Sequence, residues 1–416
     1  MPSLQATLAV LGCLLIVGAL LSGLAQRSLV SLAALFVLVG FVVGDGAFQW
    51  ISFRAQSGFV RDLAFVALIV ILFRDGLEVE SEMLQRAWHL PLRKLAVAMP
   101  ITAVIIAAAT RLLVGLSWTE SLLLGALLSP TDPILTSSIV TNPRVPRVVR
   151  HSLNLESGLN DGLALPAVIT LLAALGADSG HFVWWRFVAQ DVGLGLVFGL
   201  ALGWLGSLLM PSLGDSAPEH SIPAHQKSLY ALGVAFATYG VTVLSPKGNG
   251  FIAVFVAAIV LGVRRPEIRT HFEQRADELV EMVKLGIFLV FGSLLTLHAL
   301  ASNGWAAVGV VAISFLVARP AAVWIALTGT GIDPPTRLFM GWFGPKGIAT
   351  MTFSLLVLDE HLRNGARIFD LAALAVFCSI IVHGLTDTPG ARWIGRRSEG
   401  NAVSESGAHQ ETGPVV

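Results

Sequence analysis

The densest chemistry in this chain lies in LESGLNDG, where Glu156, Ser157, Asn160 and Asp161 fall within about one and a half helical turns. The run around them is apolar, so both carboxylates sit at the depth where lipid is expected. A second apolar run just upstream is interrupted at Ser129-Pro130-Thr131-Asp132-Pro133. Burying ionisable groups in hydrocarbon costs several kcal/mol unless they are paired, hydrated or bound to a cation.

On a helix, Ser157 and Asp161 are one turn apart and share a face, with Asn160 on the neighbouring edge above Glu156. Asp161 and the Ser157 hydroxyl thus present hard oxygens toward one point. Thr131 can complete the shell with its hydroxyl and with carbonyls released by Pro133. A metal site of Asp161, Ser157 and Thr131, without His or Cys, suits Na⁺ or K⁺, or a proton, and not a transition metal. In a water-poor site Asp161 can hold a proton or a cation but not both. That competition is what an antiporter requires. Asp132, beside two prolines, reads equally as a ligand or as a group that satisfies the backbone at a helix break.

Glu156 reads as structural, the partner of a cation buried in another apolar run, Arg319 or Lys346. A lone buried charge is far costlier than a paired one. Arg74 and Asp75, near the inner end of a span, are either a solvated end or the lining of a cytoplasmic funnel. Arg111 and Lys284 lie near span ends, where snorkelling is the simplest account. His298, His361 and His383 have no metal-ligand spacing and read as span-end or core residues.

The elements that must position these residues are membrane helices. Of 416 residues, 55% are hydrophobic and only 13% charged, and the mean hydropathy is +0.76. Soluble domains carry roughly 25% charged residues, so composition alone indicates an all-α polytopic membrane protein. The formal net charge of zero suggests no nucleic-acid partner. Cys13 and Cys378 lie near opposite ends of the chain, which argues against a disulfide or metal pair. The N-terminal apolar run has no basic flank or convincing cleavage site and reads as a retained first span.

Spans of about 20 apolar residues fall at 4–25, 28–45, 58–77, 94–117, 119–140, 152–177, 184–210, 228–245, 249–263, 279–300, 304–327, 336–358 and 366–386, about thirteen in all. With the N-terminus outside, the cytoplasmic loops receive Lys94, Lys227 and the clusters Arg144–Arg147–Arg150, Arg264–Arg265–Arg269–Arg275 and Arg392–Arg396–Arg397. This positive-inside bias supports a cytoplasmic C-terminus. The tail, 391–416, has no apolar period and is expected to be disordered. Trp184, Trp185 and Trp305 fall at span ends, as an interfacial belt requires. Span five breaks at 129–133 and span twelve at Gly341-Trp342-Phe343-Gly344-Pro345-Lys346-Gly347. Interrupted segments in matching halves point to inverted repeats with two discontinuous crossing helices and a site at the breaks.

Taken together, SPTDP, LESGLNDG, LVARP in span eleven and the G-x-K-G break resemble the NhaP/NHE-type sodium/proton antiporters of the monovalent cation:proton antiporter superfamily. The resemblance covers nearly the whole chain. It implies a membrane transporter domain, 1–390, with a transport core (94–177 and 304–386), a dimerisation panel (1–92 and 228–300) and a linking helix, 184–210. It implies Asp161 as the cation-binding acid, Asn160 as its partner, Ser157 as a ligand, Thr131 and Asp132 at the unwound helix, and a Glu156–Arg319 structural pair. Asn-Asp in place of Asp-Asp accompanies electroneutral one-for-one exchange in that family. Two departures stand out: Lys346 replaces an Arg, which loses the bidentate fork, and Arg74-Asp75 shifts the span-three acid by one place.

The expected protein is therefore a homodimeric, multi-pass antiporter of a bacterial cell membrane. It exchanges Na⁺ (or K⁺) for H⁺ by alternating access at Asp161, is not an enzyme and needs no cofactor. The rival readings are a cation channel, for which no filter-like loop is visible, a membrane-embedded hydrolase using Asp132 and Asp161, and a K⁺/H⁺ efflux system under ligand control, for which the tail is too short to hold a nucleotide-binding domain.

Overall fold

Apolar runs bounded by proline, glycine and capping residues become helices along the whole chain. The computed structural model describes residues 32–50, 58–83, 89–132, 142–176, 183–210, 224–244 and 248–411, with a few isolated positions besides. Most of the expected first span lies outside the described residues, as does Pro133. The helices are α1 Leu32–Val43, α2 Gly58–Met83, α3 His89–Leu113, α4 Trp118–Leu128, α5 Arg147–Gly176, α6 Val188–Leu209, α7 Ala224–Leu244, α8 Gly250–Arg264, α9 Pro266–Leu294, α10 Gly304–Ala326, α11 Pro334–Trp342, α12 Ile348–Asp359 and α13 Gly365–Glu411. Among the described residues there is no strand.

By length and composition, α3, α5, α6, α10 and parts of α7 and α13 can each cross a membrane. The apolar helices α1, α4, α8 and α12 are shorter. Two of these are short for a visible reason: α4 stops at Leu128 ahead of Pro130, and α12 starts only after the 343–347 break.

α3 and α10 share a local device. Each contains a wide π turn, Lys94–Ala98 in one and Ser314–Ala318 in the other, followed at once by Met99-Pro100 or Arg319-Pro320. A proline ring collides with the carbonyl four residues back and supplies no N–H. A widened turn ahead of it absorbs both defects without ending the helix.

Elsewhere glycine sets the packing distance. Gly195, Gly199 and Gly203 follow one another at four-residue spacing along α6 and lie against α8. A methyl group on Gly199 would come within 2.7 Å of the Ala253 carbonyl oxygen. Gly40 of α1 and Gly292 of α9 press backbone on backbone in the same way, each leaving no room for a side chain. Such close approach is how apolar helices associate where lipid removes the hydrophobic drive.

Two expectations are corrected here. Residues 391–411, expected to be disordered, continue α13 as helix. Ala391 and Ile394 are buried beside Phe339 and Phe343, so the helix has apolar contacts beyond the point where hydropathy fades. Lys94, assigned to a cytoplasmic loop, and Lys284, assigned to a snorkelling position, are both buried. The hydropathy profile gave their depth along the span but not the direction each side chain takes.

Candidate ion-binding site

The site is built where two helix breaks meet. Pro130 cannot donate to the Ala126 carbonyl, and the Ser129 hydroxyl donates to it instead at 3.0 Å. The next free carbonyl, Leu127, accepts from the Thr350 hydroxyl of α12 at 2.9 Å. In return the Asp132 carboxylate accepts from the Ile348 N–H at the start of α12, at 3.1 Å. The Asp132 N–H donates to the Pro345 carbonyl at 2.9 Å. Each break thus supplies what the other lacks, so polar backbone is tolerated at this depth. Gly347 has to be glycine, because a Cβ there would overlap the Asp132 side chain.

The charges follow the helix dipoles. Asp132 sits at the N-terminus of α12, and Lys346 Nζ lies 3.4 Å from the Pro130 carbonyl, beyond the C-terminus of α4. An anion at the first end and a cation at the second are both favourable. Of the two readings of Asp132, the backbone role is directly visible.

α5 approaches this junction with Ser157 and Asn160. The Ser157 hydroxyl donates to the Thr131 carbonyl at 2.8 Å, and Asn160 Nδ2 donates to the same carbonyl at 2.9 Å and to Thr131 Oγ1 at 3.0 Å. Because Nδ2 faces a carbonyl, the orientation of the amide is fixed. The other amide atom, Asn160 Oδ1, is buried and has no hydrogen-bond partner among the described residues. Asp161 follows it and is itself buried. It senses the charges of Asp75, Asp132 and Lys284. Thr131, Ser157 and Asn160 are therefore brought together by direct hydrogen bonds, with Asp132 and the buried Asp161 following Thr131 and Asn160 in the chain.

Glu156 is one residue from Ser157. Arg319 grips it with two bonds, Nη1 to Oε1 at 2.8 Å and Nη2 to Oε2 at 3.2 Å. The arginine lies over Gly344, where any side chain would collide with it. Of the two expected alternatives, Arg319 and not Lys346 pairs with Glu156, and a second partner, Lys94, was not foreseen: its Nζ is 2.6 Å from Oε2 and 2.9 Å from the Ser152 carbonyl. Lys94 opens the π turn of α3 and Arg319 follows the π turn of α10, so the two cations reach Glu156 from opposite ends of the two turns. Lys346 is displaced from this role by its position at the end of α4.

Asp75 is neither a solvated end nor exposed. It is buried on α2 within reach of Arg74, at 3.7 Å, and of the charges of Lys284 and Asp132. Arg74 also pairs with Glu78, one turn on, at 2.8 Å. Gly76 lets α2 approach Phe255 and Ala258 of α8, and Phe255 also covers Gly162 beside Asp161. Sequence reasoning missed Lys94 and the depth of Lys284. The signal available for Lys94 was the parallel between KLAVAMP and SFLVARP, in which the proline and the apolar residues match and a basic residue stands at opposite ends.

Comparison with known proteins agrees with this geometry. The family model described as "Sodium/hydrogen exchanger, transmembrane" matches residues 13–393. The chain is 26% identical over 413 residues to a protein named K(+)/H(+) antiporter NhaP of Alkalimonas amylolytica, covering 95% of this chain and 68% of that protein. It is 28% identical over 389 residues to K(+)/H(+) antiporter NhaP2 of Shewanella baltica, covering 90% of this chain and 64% of that protein. It is 25% identical to Probable Na(+)/H(+) antiporter 2 of Methanocaldococcus jannaschii, covering 71% and 72%. The chain thus spans about two thirds of the length of the curated relatives it matches. The solved structure of the sodium proton antiporter MjNhaP1 from M. jannaschii at pH 8 shares the fold, with a TM-score of 0.78 and 19% identity over 95% of this chain and all of that one. This chain belongs to the transmembrane sodium/hydrogen exchanger family.

Proposed function

We propose that the protein is a secondary antiporter that exchanges Na⁺ or K⁺ for H⁺ at Asp161. The observation that carries this reading is a buried carboxylate, Asp161, on the helix whose Ser157 and Asn160 bond to Thr131 at the meeting of two helix breaks. Hard oxygens without nitrogen or sulfur ligands suit an alkali cation or a proton. Asp161 is the group for which the two compete. The Thr131 hydroxyl, which accepts one bond from Asn160 and keeps a second lone pair, supplies a further oxygen, and Asn160 orients the set. One carboxylate exchanging one proton for one monovalent cation makes the cycle electroneutral.

Alternating access follows from two-sided construction. The matching π turns of α3 and α10, both gripping Glu156, support a pair of inverted repeats with crossing broken helices at their centre. In this reading 94–177 and 304–386 move as a transport core against a dimerisation panel, in a homodimer of the cell membrane with its C-terminus in the cytoplasm. The relatives' names support both K⁺ and Na⁺ as cargo.

The test is dissipation of a pH gradient in reconstituted vesicles on adding Na⁺, K⁺ or Li⁺, with and without a clamped membrane potential. A response to at least one cation, unchanged by voltage, is expected. Asp161→Asn should abolish it while leaving folded protein in the membrane. Substantial residual exchange in that variant would remove Asp161 from the centre of the mechanism.

A further inference from the structure

His383 is buried on α13, where its ring meets Trp342, just before the 343–347 break, and Ser379, one turn back on its own helix. Its Nε2 lies 3.1 Å from the carbonyl of Trp342, the last residue of α11. Its Nδ1 lies 3.1 Å from the Ser379 carbonyl and 3.0 Å from the Ser379 hydroxyl, which in turn accepts from the Lys346 N–H at 2.7 Å. Each ring nitrogen thus faces a backbone carbonyl, and the Ser379 hydroxyl joins the ring to the break by meeting Nδ1 and accepting from the Lys346 N–H. Phe315 covers the ring edge-on at 5.2 Å, and the Trp342 indole is 5.5 Å away with its own N–H on Thr386 at 3.1 Å.

We propose that His383 and Ser379 are positioning residues that set the shape of the 343–347 break, and through it the geometry of the cation site. The linkage is a short series of contacts. Ser379 holds the Lys346 backbone, the neighbouring Pro345 carbonyl accepts from Asp132 N–H, and Lys346 Nζ reaches the Pro130 carbonyl. Those contacts fix 130–132 on both sides of Thr131, whose carbonyl meets Ser157 and Asn160. Neither His383 nor Ser379 touches the cation in this arrangement. The proposal rests on the functional reading above for its transport readout, but not for its structural one.

The experiment uses the full chain in lipid nanodiscs and vesicles, with His383→Phe, His383→Gln and Ser379→Ala. Glutamine keeps a donor and an acceptor; phenylalanine keeps only the ring. Hydrogen–deuterium exchange of the segment 343–348 should quicken in His383→Phe and Ser379→Ala and remain near wild type in His383→Gln. Apparent KM for the transported cation should rise about fivefold to tenfold in His383→Phe, the affinity equivalent of about one buried hydrogen bond, with Vmax per folded protein held within about twofold. If His383→Phe fails to fold, Ser379→Ala and His383→Gln carry the same test. Unchanged protection in Ser379→Ala, a His383→Gln variant as impaired as His383→Phe, or lost protection with an unchanged KM would each overturn the proposal. A wild type that exchanges no cation would remove the proposed function, and the protection measurements would still decide whether His383 holds the break.

Discussion

The α6–α8 seam and the α4–α12 junction are both tightly packed inside the molecule, by opposite means. Along the seam, Gly195, Gly199 and Gly203 bring one helix backbone onto Asn249, Ala253 and Ala257 of the other, and dispersion contacts do the holding. The α1–α9 contact through Gly40 and Gly292 is of the same kind. At the junction, neither α4 nor α12 completes its own hydrogen bonds, and Ser129, Thr350, Asp132 and Lys346 complete them across the gap. A seam of backbone against backbone has one good fit and resists sliding. A junction of exchangeable polar partners can be re-formed in a second arrangement at modest cost. The difference suits a fixed panel on one side and a moving core on the other.

Glu156→Gln should be the most damaging way to break this contrast. It strands Arg319 and Lys94, both buried, without their shared counter-charge. A cost of about 3–5 kcal/mol is expected from loss of one partner of a buried pair, seen as a large drop in melting temperature in detergent. Gly292→Val should cost about 1–3 kcal/mol by overpacking against the Val37 backbone. In the surviving folded fraction, however, the apparent KM for cation should stay at the wild-type value. A shifted KM would mean that the panel is not a passive support.

Lys94→Met should have the smallest effect and sharpens the comparison within the junction itself. Glu156 keeps its bidentate Arg319, and a desolvated ammonium is exchanged for an apolar chain of similar length, so the expected cost is under about 1 kcal/mol. Arg319→Met should be clearly worse by the same thermal assay. Equal losses in the two variants would show that the two π turns share the carboxylate evenly.

Some of this was written plainly in the chain. The helices follow from hydropathy, the breaks from Pro130, Pro345 and the glycines around them, and the clustering of Ser157, Asn160 and Asp161 from helical spacing alone. The pairing of Glu156 with Arg319 was among the two options that the cost of a lone buried charge allowed. Its second partner was not, because Lys94 is 62 positions away at the edge of an apolar run and resembled a loop cation. His383 resembled any buried histidine until its neighbours on α11 and the break were in place.

The sequence by itself determined that the chain is a series of apolar helices, that two of those runs are broken near Pro130 and Pro345, and which oxygens could serve a small cation. Those properties depend on local composition and on the period of the helix. Only the tertiary structure decided that Lys94 instead of Lys346 meets Glu156, that Asp75 and Lys284 are buried, and that the end of α13 stays helical. Hydropathy fixes how deep a residue lies along its span. The rotation of each helix about its axis, and hence the partner a long side chain reaches, is set by packing against neighbours distant in the chain.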